Sequence, residues 1–174
     1  MSPTAELLGT KKVKYFANTF TVDVGTDPNR WQGMKSLLQL NDLNISKEYN
    51  IVIKVQKGYV PPPLVGIWAR WPYFHNNSVA SLCQVLTVSS QRVNGFWMGP
   101  ANDAQRDFDS SCVGYPLGAE TPKTWMRSRE NYYDTKLPGL SNAGHDRRIF
   151  LDQDGNEIFS EQDKLDIIEF LKTL

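Results

Sequence analysis

The sequence predicts a predominantly α-helical domain with long loops and one short β-hairpin. Three observations carry this. Two helix starts are well capped, near Asp27 and near Ser160. Apolar residues recur at helical spacing behind them. A tract from 89 to 145 is rich in Gly, Pro and aromatics, without periodicity; so long a loop in a compact domain usually wraps or does something.

Residues 1–19 read as a poorly ordered polar lead-in, and residues 20–174 as one domain. In Thr26-Asp-Pro-Asn-Arg30, Asp27 can cap free amides, and Pro28 at the first helical position loses no needed donor. Trp31, Met34, Leu37 and Leu38 then mark a buried helix face to about Leu40. Between Ile45 and Tyr59 the pattern fits strand or helix equally: Ile51, Ile53 and Val55 alternate, but the flanks are helical in character. Pro61-Pro-Pro63 stiffens the chain into an extended lead. Ser78 caps a second helix, with Val79, Leu82, Val85 and Leu86 as its apolar stripe. Ile149-Phe-Leu and Glu157-Ile-Phe flank a turn at Asp152-Gln-Asp-Gly-Asn156, which makes the hairpin. Ser160 and Asp163 form a capping box for the last helix, whose face carries Leu165, Ile168 and Leu171, widened by Ile167, Phe170 and Leu174.

Composition narrows the function. Nineteen basic and nineteen acidic side chains cancel, without a long basic run, which gives no support for nucleic-acid binding. No apolar run is long enough for a membrane span or a secretory signal. Cys83 and Cys112 can form at most one disulfide; in a reducing compartment they would be two buried thiols. The Asp152 turn lacks the glycine and glutamate positions of a calcium loop. Zinc at His75, Cys83, Cys112 and His145 would need four distant segments to converge. No phosphate-binding glycine motif or nucleophile elbow is present. A hydrolase is accordingly the weakest function class.

The most informative stretch is Gly66-Ile-Trp-Ala-Arg-Trp-Pro-Tyr-Phe-His-Asn-Asn-Ser78, followed far downstream by Ser141-Asn-Ala-Gly-His145. Trp68, Trp71, Tyr73 and Phe74 suit the wall of a large, flat, apolar ligand. His145 approaches on small residues, as either a solvated loop residue or an imidazole ligand. His75 reads as a partly buried ring bonded to a backbone carbonyl. These segments, with Gly25-Thr-Asp-Pro-Asn-Arg30 and the terminal Glu169-Phe-Leu-Lys-Thr-Leu174, resemble the C-terminal half of the bacterial di-haem cytochrome c peroxidase family, and especially its rubber-oxygenase branch. Asn77 stands where that family usually has glycine.

The resemblance implies a cytochrome c-like domain that binds haem. Trp68, Trp71, Tyr73, Phe74 and His75 would surround the cofactor, with His145 as distal axial ligand. Arg30, Arg70 or Arg92 would be available to haem propionates, or else to surface ion pairs. It also implies electron transfer, a periplasmic or secreted location and, with it, the disulfide. No Cys-x-x-Cys-His attachment motif occurs. The proximal ligand and the catalytic haem would therefore lie in a missing N-terminal half, or an electron-donor protein would serve as partner. A chain without its haem would expose an apolar face through which two copies could pair. The competing expectation is a binding or structural module that keeps the scaffold without haem.

Overall fold

The computed structural model describes residues 24–55, 58–59, 62–146 and 149–174. The expected lead-in at 1–19 and Pro61 lie outside them. Four α-helices occur among the described residues: α1 (Asn29–Gly33), α2 (Asn44–Glu48), α3 (Leu82–Val85) and α4 (Glu161–Leu171). Strands β1 (Gly95–Trp97) and β2 (Tyr132–Asp134) pair antiparallel, with Phe96 opposite Tyr133.

The expectation of a predominantly helical domain is overturned. Helix, 3₁₀ turns included, reaches only 34% of the described residues, in short pieces, beside a small two-stranded sheet. The cause is local. The stretch after Asp27 forms five residues of α1 and then a 3₁₀ helix over Met34–Asp42, a geometry whose hydrogen bonds are poorer than those of an α-helix. Its expected buried face is open: Met34, Leu37 and Leu38 are each more than 40% exposed.

The second helix starts later than Ser78. Tyr73 and Val79 exchange backbone hydrogen bonds, so Ser78 closes a tight loop. Ser81 caps α3 instead, its hydroxyl accepting from the Gln84 amide. The ambiguous segment resolves as α2 followed by residues 51–55 without regular secondary structure. Asn41 holds them through both its amide oxygen and nitrogen, bonded to the backbone of Ile53.

The 89–145 tract is irregular as expected, but it contains the only strand pair among the described residues, between chain segments far apart in sequence. The proposed hairpin at Asp152 is a turn carrying a single bridge, Leu151 to Glu157. Asp152 accepts from the amides of Asp154 and Asn156, which is turn chemistry. α4 begins as expected, with the Ser160–Asp163 capping box formed in both directions.

The core joins the aromatic segment to α3 and α4. Tyr73, Val79, Leu82, Leu86, Val113, Phe150 and Ile168 are buried together. Each such aliphatic side chain contributes about 1.5–3 kcal/mol by leaving water. On α4 only Ile168 is fully buried; Ile167 and Leu171 pack beside it, while Leu165 and Phe170 face outward. Cys83 on α3 forms a disulfide with Cys112, pinning the irregular tract to this core. The pair leaves no thiolate for zinc.

Candidate haem-associated histidine site

Beside this core, one corner of the molecule gathers both histidines. The loop after Tyr73 is tight: Phe74 and Asn77 are left-handed, with φ of +68° and +61°, and the Asn77 amide donates to the Phe74 carbonyl. Only glycine, and to a lesser extent asparagine, enters this region readily. That accounts for Asn77 at a position where glycine is usual. The loop turns Phe74 and His75 to one side.

The partner segment arrives by close backbone approach. Gly144 packs so tightly on Gly25 that a side chain there would collide with the Gly25 carbonyl and with Val24. The amide of the following residue, His145, then donates to the Val24 carbonyl at 2.6 Å. Arg92 fixes the same segment. It is buried and donates to four carbonyls: Gln84 and Thr87 at the end of α3, and Asn142 and Gly144. Its guanidinium also lies 4.9 Å from the Phe74 ring centre. Arg92 is therefore a structural staple, with its second terminal nitrogen, Nη2, buried and without a hydrogen-bond partner. Arg30 and Arg70 are exposed.

His145 stacks on Phe74, with ring centres 4.1 Å apart. His75 stacks on Tyr59 at 4.0 Å, and the two imidazoles are 6.0 Å apart. Thr26 sits between them: its hydroxyl oxygen is 2.8 Å from His145 Nε2 and 3.3 Å from His75 Nδ1. Burial, then the neighbouring His75 and Arg92, pushes the His145 imidazolium down to a pKa of about 4. His75 is lowered by burial and by Arg30. Both rings are thus neutral at pH 7, the form in which imidazole donates an electron pair.

The other predicted residues do not join this corner. Tyr73 lies in the core, donating to the Val113 carbonyl at 3.1 Å, and desolvation drives its phenol far above the ordinary range. Trp71 packs on Phe108, 4.8 Å away. Trp68, on a short 3₁₀ turn, is 45% exposed. Of the expected surround, Phe74, His75 and His145 come together. Thr26, Tyr59 and Asn76 complete the corner, and the sequence reading assigned no site role to any of them. Asn76 bonds the carbonyls of Gly139 and Ser141, and its own carbonyl accepts from Tyr133 on β2. A concavity of about 280 Å³ lies elsewhere, on the β1–β2 ribbon between Trp97, Tyr132 and Lys136; none of the predicted site residues lines it.

The residues fit haem in one respect. A desolvated, neutral imidazole beside an aromatic ring is a suitable axial donor, and the buried Nε2 of His75 is a second nitrogen, one that finds no hydrogen-bond partner. They do not fit covalent attachment, since the two cysteines are bonded to each other. Among the described residues no group of three or more His, Cys, Asp or Glu could hold a metal ion, and no helix is long and apolar enough to cross a membrane.

Two proteins of Sinorhizobium fredii, the uncharacterized proteins y4iJ and y4iM, are similar to this chain. The first is 33% identical over 126 residues, covering 70% of this chain and 19% of the relative. The second is 32% identical over 130 residues, covering 67% of this chain and 27% of the relative. The chain thus spans about a fifth to a quarter of these relatives. No solved structure matches it. The family model described as RoxA-like, cytochrome c-like matches residues 58–98, a segment that includes Phe74, His75 and Arg92 of the histidine corner; over that stretch the chain is similar to RoxA-like, cytochrome c-like domains.

Proposed function

We propose that residues 20–174 form the C-terminal portion of a longer di-haem oxidoreductase-like protein and serve as its haem-associated electron-transfer domain. His145 is the distal axial ligand in this reading. The carrying observation is the neutral, desolvated imidazole of His145, held between Phe74 and Thr26 beside a second neutral histidine. The family match at 58–98 supports haem as the cofactor. A bound haem supplies one-electron transfer, tuned by its axial ligand and its apolar surround. The chain's own residues contribute placement: Arg92 and Gly144 set the His145 backbone, Phe74 orients the ring, and His75 lies beside it. A location outside the cytoplasm accords with the Cys83–Cys112 disulfide.

A second reading has its own support. Thr26 already satisfies His145 Nε2, and the attachment motif is missing, as in a scaffold that has kept its shape without the cofactor and acts in binding. Titration of ferric haem into the purified chain separates the two. A saturable, shifted Soret band supports the electron-transfer reading. No spectral change at equimolar haem, with the protein folded, overturns it in favour of the scaffold.

A further inference from the structure

The two imidazoles are not independent, because one hydroxyl serves both. Thr26 Oγ1 has one proton to give and can also accept. Its contact to His145 Nε2 is the shorter, 2.8 Å against 3.3 Å to His75 Nδ1. Two proton arrangements satisfy both contacts. In the first, the hydroxyl donates to His145 Nε2 and accepts from a protonated His75 Nδ1. In the second, His145 Nε2 donates to the hydroxyl, which donates to His75 Nδ1. They differ at His75 Nε2, which is buried without a partner. The second arrangement leaves an N–H stranded there. The first leaves only a lone pair, and a buried donor without an acceptor is the rarer defect.

We propose that Thr26 is a positioning residue which fixes both histidines as Nδ1–H tautomers, and that His75 Nε2 is thereby the unprotonated, unpartnered nitrogen of this site. The ring stacks on Tyr59 and Phe74 hold the two imidazole planes, so the hydroxyl has only the tautomer to set. The ligand chemistry recognised at Nε2 is a hydrogen-bond donor or a metal centre accepting an electron pair. In the electron-transfer reading, His145 would then exchange its Thr26 hydrogen bond for iron only when that hydroxyl turns away. This part deepens the proposed function and rests on it; the tautomer assignment does not.

The test is ¹⁵N-resolved NMR of the histidine side chains in the intact purified chain at pH 7, without haem. Nδ1–H tautomers at both His75 and His145 are expected. Thr26→Ser should preserve them. Thr26→Val should release at least one ring to the Nε2–H form that free imidazole side chains prefer. An Nε2–H tautomer at His75 in the unaltered protein overturns the proposal, and that result needs no variant to fold. Unchanged tautomers in a folded Thr26→Val protein overturn it equally. Failure of haem to bind would sink the electron-transfer reading while leaving this assignment standing.

Discussion

Residues 31–40 and residues 79–86 carry the same kind of apolar spacing and meet opposite fates. In the second stretch Val79, Leu82 and Leu86 are almost completely buried against Tyr73, Val113, Phe150 and Ile168. In the first, Met34, Leu37, Leu38 and Leu40 stay 40% exposed or more. Periodicity reports which side chains share a face; it does not report what covers that face. The covered stretch is tied down by a disulfide, by an antiparallel bridge and by α4. The open one is held mainly by hydrogen bonds of the Asn41 side chain and the α2 turn.

The contrast can be broken from the buried side first. Replacing both cysteines, Cys83→Ser with Cys112→Ser, removes a cross-link between residues 29 apart, and should lower unfolding free energy by about 3–4 kcal/mol in the chain-entropy picture. Denaturant titration would show it as a lower midpoint. Ile168→Ala should cost about 2–4 kcal/mol, because the residue is 1% exposed at the centre of the core. A loss below about 1 kcal/mol, by the same titration, would mean the α4 contact is dispensable.

The histidine corner adds a pH signature. The imidazolium of His145 is depressed from 6.5 to about 4, so the unfolded state binds the proton more readily. Stability is then fully present above about pH 6.5 and is lost as pH falls toward 4. His75 acts in the same direction. Thermal melts from pH 7.5 to 4 should show a falling midpoint, and the fall should be shallower in His145→Gln. A flat profile in the native protein would contradict the burial of both rings. The smallest effect belongs to the open face: Leu37→Ser, at a site 42% exposed, should change stability by no more than about 0.5 kcal/mol. A large loss would mean that something covers this face in solution.

How far the sequence foretold all this follows from the physics of each part. The α4 cap was legible because Ser160 and Asp163 satisfy each other's backbone within four residues. The meeting of 74–75 with 145 was legible only through family likeness, since it joins segments some seventy positions apart. Its supports were not legible as such. Arg92 looks like any basic residue until its four carbonyl partners are in place, and Thr26 reads as part of a helix opening. The start of α3 was missed because two serines, Ser78 and Ser81, precede the same apolar run, and the Tyr73–Val79 bridge decides between them. The mainly helical expectation failed because a helical stripe with nothing packed over it settles into short α and 3₁₀ turns.

The most direct test of the central claim compares ferric-haem absorption spectra of the native chain with those of His145→Ala and Leu37→Ser. The account predicts a shifted Soret band in the native protein, retained in Leu37→Ser and lost or displaced in a folded His145→Ala. A Soret band identical in all three proteins would contradict His145 as the ligand.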